Sequence, residues 1–319
     1  MLRIKSLKEA GNSNICSASS FYAGFSRLRK KVILFFLTIF AGLGAVIFLT
    51  PTVLTVANSF MSSSEITANY GAVFMRAQSG GTAFISEQIH LKFIPDMVSF
   101  SQYYTVLFQS PDYLLKFWNS VILVAPIVIF QIMIASLAAY SFARMKGRLK
   151  EILFFVYIII MLMPYQVTLV PNYLISDWLN ILNTRWAIIL PGIFTPFSVF
   201  LLSKVMRRIP DSFVEAAKLD GAGELQIFTF IFMPLCKSVL FSVAILVFID
   251  YWNMVEQPLI LLDDSNLYPL SVFLAQINAG EIGLAFAVAT IYMIPALLIF
   301  LFGEDYLVEG IAYSGGIKG

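Results

Sequence analysis

Six runs of about 20 residues or more carry almost no charge, and they restrict the fold more than any other feature. A helix rises about 1.5 Å per residue, so crossing about 30 Å of hydrocarbon takes on the order of 20 apolar residues. The runs cover residues 32–57, 117–140, 152–175, 186–206, 239–262 and 283–302. Over the whole chain 59% of residues are hydrophobic and 13% charged, against about 25% charged in a soluble domain. The fold class this predicts is all-α: a polytopic membrane protein with six transmembrane helices. The first run is too long for a removable signal peptide and lacks its small-residue cleavage site. Pro164, Pro171, Pro191 and Pro196 fall inside runs three and four, where neighbouring helices can satisfy the freed carbonyls.

Six crossings put both termini on one side, and lysine and arginine choose it. Seventeen of the 21 lie in the amino-terminal arm, the turn 144–150, the 207 region and the tail. Arg76, Lys92, Lys116 and Arg185 face the other way. The excess sets both termini and the 207 region in the cytoplasm. The chain then divides into a cytoplasmic arm at 1–31, a first transmembrane helix at 32–60, an external segment at 61–116, a five-helix core at 117–306 and a cytoplasmic tail at 307–319. In the external segment, residues 62–89 are read either as an insertion facing an outside partner or as a solvated loop.

Between runs four and five lies a charged, glycine-containing interval, residues 207–235, RRIPDSFVEAAKLDGAGELQIFTFIFMPL. Ser212 and Glu215 have capping-box spacing and follow Pro210 and Asp211, which predicts a short helix from Phe213 to Leu219. Gly221 and Gly223 break it. A second helix should present Leu225, Phe228, Ile231 and Phe232 on one face until Pro234 stops or kinks it. The alanines permit close approach to a cleft, and glycine accepts the backbone angle a bend needs. Glu215 either completes the box or offers its carboxylate to a partner, and the two roles are compatible.

The spacing Glu215-Ala216-Ala217, x3, Gly221, x9, Ile231, x, Met233-Pro234 resembles the EAA loop of bacterial ABC importer permeases, with methionine where that pattern has leucine. SLAAYSFARMKG (136–147), MPYQVTLVPNYL (163–174), LNTRWAIILPGIFTPFSVFLL (182–202) and GIAYSGGIKG (310–319) are similar to the maltose-type, second-permease group of carbohydrate importers. The resemblance implies a permease that forms half of a sugar pathway in the bacterial cytoplasmic membrane. Its implied partners are ABC ATPase subunits that bind ATP and Mg, a second permease in a heterodimer, an extracytoplasmic solute-binding protein, the sugar and membrane lipid. It also implies that Glu215, Ala216, Ala217, Asp220 and Gly221 transmit the stroke of the ATPase.

Run five carries Asp250, Tyr251, Trp252, Asn253, Glu256 and Gln257. Acids in a span are costly, at about 2.5–3.5 kcal/mol each near the bilayer centre, so they should face protein or water. At 100° per residue Asp250, Asn253 and Gln257 share a narrow arc. Carboxylates and amides suit sugar hydroxyls and an indole suits the apolar face of a pyranose; interhelical hydrogen bonding is the other reading. The family pattern here is WNDFLWPL, whereas this chain has Trp252-Asn253-Met254-Val255-Glu256-Gln257-Pro258-Leu259. Tyr165, Gln166 and Asn172, with Thr195 and Ser198, are weaker candidates for the route.

No catalytic constellation is present. The chain has no G-x4-G-K-[ST] loop, so ATP must be split by another polypeptide and this chain is not itself an enzyme. Cys16, Cys236 and the lone His90 make no metal or disulfide pattern, and no cofactor is expected. The basic residues are accounted for by topology, which argues against nucleic acid. The competing function is an ion-coupled secondary carrier or channel using Asp250 and Glu256.

Overall fold

The computed structural model describes residues 31–78, 92–145, 147–276 and 282–315. The expected arm at 1–31 apart from Lys31, together with Cys16, His90, Glu281 and the last four residues, lies outside them. The described residues are helical with short connections and contain no strand. The chain divides after Ala57 into two units.

The described residues of the first unit belong to one helix, α1, Lys31–Asn58, whose last residue opens the second unit. It is apolar along most of its length. Thr38, Thr50 and Thr55 each donate to the carbonyl four residues earlier, at 2.7–2.8 Å, so these three hydroxyls are not left bare in an apolar environment.

The second unit begins with α2, Ser63–Gln78, which lies against the last helix. Glu65 on α2 accepts from the Asp96 amide at 2.9 Å and pairs with Lys92 at 3.0 Å, fixing the segment that returns from the undescribed residues 79–91. A turn of helix, α3 (Ser101–Tyr104), passes through a π turn into α4, Pro111–Arg144. The core is built by α4 lying along α8 (Pro196–Met206) and α12 (Lys237–Trp252), with α12 along α15 (Ile282–Gly315). Close approach of α12 and α15 depends on small residues: a Cβ on Gly310 would fall 2.0 Å from Ser242 Oγ, which donates to the Tyr306 carbonyl at 2.5 Å.

Four helical stretches are long and apolar enough to cross a membrane, Lys31–Asn58, Pro111–Arg144, Trp186–Met206 and Gly283–Val308. Two further candidate spans arise only from bent pairs, Arg148–Met161 with Tyr165–Trp178 and Glu224–Leu235 with Lys237–Trp252. The third run is not one continuous crossing helix: α5 (Arg148–Met161) and α6 (Tyr165–Trp178) meet at 99° across residues 162–164. Pro164, with no amide proton and φ near −58°, caps α6 and excludes a straight path. The fifth run also differs from expectation. α12 ends at Trp252, and α13 (Glu256–Leu261) is a separate short helix. Among the described residues the count is four spans, or up to six when each bent pair is one. The sixth run continues as helix to Gly315, through most of the segment expected as a tail.

Candidate functional site

The 207–235 interval forms a bent pair of short helices. α9, Asp211–Leu219, starts two residues before its expected start, and Pro210 is its N-cap with no side-chain hydrogen bond. Ser212 and Glu215 therefore lie inside the helix and the capping box they spell does not form. The C-terminus behaves as expected. Ala222 N–H donates to Ala217 O at 2.9 Å and Gly221 N–H to Lys218 O at 3.1 Å, the two bonds of a Schellman motif. Gly221 is the left-handed residue that closes it, with φ +82°.

After the bend, Gln226 Oε1 accepts from the Gly223 amide at 2.9 Å and α10 (Glu224–Ile227) runs through a π turn, Phe228–Phe232, into α11 (Met233–Leu235). The π turn adds a residue to the ladder and rotates the face. Ile227, Phe228 and Phe232 are buried, while Leu225, expected on that face, is 70% exposed. Past Pro234 the chain turns by 77° into α12.

Three contacts hold this element to the core. Val214 is 1% exposed in the main apolar cluster. Arg144, at the end of α4, pairs with Asp211 at 2.6 Å. Tyr140 packs edge-on against Phe232 and donates its hydroxyl to Glu224 at 2.5 Å, and Lys218 reaches the same carboxylate at 2.7 Å across the bend. The Lys218 ammonium, and after it the Tyr140 hydroxyl, hold Glu224 below the usual carboxylate range. Neither Tyr140 nor Glu224 was distinguishable in the sequence, because only the bend brings them together. The opposite surface is bare: Glu215, Ala216, Asp220 and Gly221 are exposed, Ala217 is half-buried and Leu219 is 89% exposed. This face therefore carries an exposed leucine beside small residues and two acids.

The residues proposed for the pathway are placed by three helix breaks. α5/α6 breaks at 162–164, α7 (Trp186–Gly192) and α8 at 193–195, and α12/α13 at 253–255. From the ends that flank the 207–235 block and Arg148, these breaks lie about 17–24 Å up their helices, and α6, α7 and α13 touch one another. Tyr165 sits beside Tyr251, Glu256 and Gln257. Gln166 donates to Glu256 at 3.4 Å, and Tyr251, next to Thr195, donates to the Gly192 carbonyl at 3.3 Å. Asn172 lies two turns along α6 from Tyr165, on the same face of the helix.

Not all of the candidates join this cluster. Trp252 is 2% exposed, stacked between Phe248 and Tyr292, with its indole N–H on the Tyr292 carbonyl at 3.2 Å; it is a core residue. Asn253 is bound on both ends, accepting from Tyr292 Oη at 3.0 Å and donating to Ile249 O at 2.8 Å. The arc drawn through Asp250, Asn253 and Gln257 assumed one helix, and the break after Trp252 separates Glu256 and Gln257 from Asp250, which stays exposed on α12. Ser198 turns inward and accepts from buried Gln131 at 2.7 Å, pinning α8 to α4 below the break. A second polar node, unseen in the sequence, joins Arg185 to Asn119 at 2.8 Å and Asn119 to the carbonyls of Asn266 and Tyr268.

Residues 131–313 match the family model described as binding-protein-dependent transport system inner membrane component. Curated relatives include the arabinooligosaccharides transport system permease protein AraQ of Halalkalibacterium halodurans, 29% identical over 75% of this chain and 86% of that protein. The lactose transport system permease protein LacG of Rhizobium radiobacter is 29% identical over 65% and 77%. The melibiose/raffinose/stachyose import permease protein MelC of Bacillus subtilis is 33% identical over 64% and 76%. Among solved structures, a chain of a bacterial ABC transporter involved in alginate import superposes with TM-score 0.71 at 22% identity, covering 86% of this chain and 96% of that one. A chain from the bacterial alginate transporter in complex with a pentasaccharide-bound periplasmic protein gives 0.55 at 15% identity, over 65% and 82%.

Proposed function

The chain belongs to the binding-protein-dependent transport system inner membrane component family, and from that premise we propose that it is one permease of an ATP-driven importer for a carbohydrate or oligosaccharide. The proposal places it in a bacterial cytoplasmic membrane with six crossings, α5 and α6 sharing one and α12 supplying another, and with both termini and the 207–235 block inside the cell. The relatives' names, all referring to saccharides or their oligomers, support the substrate class. A structural neighbour captured with a periplasmic protein supports an external solute-binding partner. ATP and Mg belong to a separate ATPase, and a companion permease supplies the other half of the route.

The observation that carries this reading is the α9 element itself. Its inner side is set into the apolar core by Val214 and tied to α4 by Asp211, with Glu224 of α10 tied to α4 beside it, and its outer side presents Glu215, Ala216 and Leu219, with Asp220 next to them, exposed. A partner pressing on that outer side would move α9 against the ends of α4, α8 and α12 together. The three helix breaks then act as the places where the spans flex, and Tyr165, Gln166, Glu256 and Gln257 offer hydroxyl, amide and carboxylate groups to sugar hydroxyls there. Trp252 supports this cluster from within the core.

Uptake by proteoliposomes containing the assembled importer tests the reading. Labelled oligosaccharide should accumulate only with the ATPase, ATP and binding protein present. Accumulation driven by an imposed ion gradient, without ATP, would instead favour the carrier that Asp250 and Glu256 could serve.

A further inference from the structure

Two cavities meet at Tyr113, near the start of α4, and they differ in character. One, of about 350 Å³, is lined by Asp112, Lys116, Ser265 and Gln276 with Phe273 as a wall. The other, of about 150 Å³, is lined by Val106, Leu107, Leu114, Phe117, Val288 and Ile291. Tyr113 belongs to both. Along α4, Leu114 and Phe117 lie on one side of Tyr113 and Asp112 and Lys116 on the other, so the helix presents an apolar slot and a charged slot next to each other.

Their height is set by the sequence of α4. Residues 117–143 contain no Asp, Glu, Lys or Arg, and at 1.5 Å per residue they span about 40 Å, close to the 40–45 Å of a bilayer with its headgroup layers. Lys116 and Arg144 therefore mark the two headgroup levels. Trp118 and Tyr104, both more than half exposed and close in sequence to the lining residues Phe117 and Val106, are the kind of side chain expected at that level.

The charges in the polar cavity are uncommitted. Among the described residues neither Asp112 nor Lys116 forms an ion pair, although they are four apart on one helix. The Lys116 ammonium stands 5.9 Å from the centre of the Phe273 ring. One cation and one anion facing a cavity at headgroup height, beside a slot that has only apolar walls, complement a molecule with a phosphate, an ammonium and an acyl chain.

We propose that this juxtaposition is a binding site for a zwitterionic glycerophospholipid of the outer leaflet, its phosphate on Lys116, its ammonium on Asp112 and one acyl chain in the slot beside Leu114. The site would seat lipid between α4, α14 (Leu270–Ala275) and α15, next to the external connection that Asn119 and Arg185 hold in place. It does not depend on what the importer carries.

The test is native mass spectrometry of the assembled importer exchanged into an equimolar mixture of phosphatidylethanolamine and phosphatidylglycerol. One phosphatidylethanolamine should be retained per copy of this chain, several-fold over phosphatidylglycerol. Lys116→Gln should lower retention of both lipids, Asp112→Asn should erase the preference, and Leu114→Trp, which fills the slot, should release the lipid while the complex still elutes intact. Equal retention of the two lipids by the unaltered protein would overturn the proposal. So would unchanged retention in all three variants, or a Lys116→Cys variant that cross-links to another subunit, which would show protein and not lipid over the cavity.

Discussion

Gly221 is the residue at which the bend in the 207–235 block is decided. Its φ of +82° lies where a side chain clashes with its own backbone, and a Cβ there would touch nothing else within 4 Å, so the penalty of substitution is conformational alone. Gly221→Ala should destabilise the turn by about 1 kcal/mol, read as a small drop in Tm. Gly221→Pro also removes the amide that bonds Lys218 and should abolish co-purification of the ATPase. Glu224 gives the turn a pH dependence. Its carboxyl is held low in the folded state, so its contribution is present above the ordinary carboxylate pKa and is lost as pH falls through the lowered folded value. Amide exchange in α9 should accelerate on the acid side only, and Glu224→Gln should flatten that response. Motif spacing made Gly221 legible, since a left-handed position has a composition signature. The failed box at Ser212 and Glu215 was not legible, because Pro210 already satisfies the geometry of the helix start.

At the scale of elements, the α9 tether and the broken spans make separable predictions. Val214→Ala removes two buried carbons, about 1.6 kcal/mol at 0.8 per group, and should lower ATP-driven uptake more than it lowers Tm. The Arg144–Asp211 pair is partly solvated, so a double-mutant cycle should return about 0.2–1 kcal/mol and no more. In the break cluster, Trp252→Ala should cost about 3–5 kcal/mol by emptying its core site. Glu256→Gln, on an exposed helix start, should leave stability within about 0.5 kcal/mol and change uptake of the sugar. Trp252 was expected on the route, and Asp250 and Gln257 on one arc, because a 100° wheel cannot see a helix end inside an apolar run. Two of the residues in the break at 253–255, Met254 and Val255, are neither proline nor glycine, and tertiary bonds from Tyr292 and Ser271 to the Trp252 and Met254 carbonyls accompany the end of the helix there. The π turn displaced Leu225 from the buried face for the same kind of reason.

For the whole molecule, the six runs were legible because apolar length is a physical requirement of the bilayer and needs no partner to express it. Their breaks were not, since Pro164 permits a break without dictating its angle of 99°, and nothing in the fifth apolar run marks the end of α12 at Trp252. Gly310→Val should separate α12 from α15 and destabilise the unit by about 1–3 kcal/mol, seen as a lower Tm of the assembled importer. The account as a whole stands on α9 meeting a separate motor. The direct measurement is disulfide cross-linking from Leu219→Cys, in a background with both Cys16→Ala and Cys236→Ala, to cysteines placed over the surface of the ATPase in assembled importer that still drives ATP-dependent uptake. An adduct with the ATPase whose yield changes between nucleotide-free and ATP-bound states is the result expected; an adduct confined to this chain, or none while uptake continues, would contradict it.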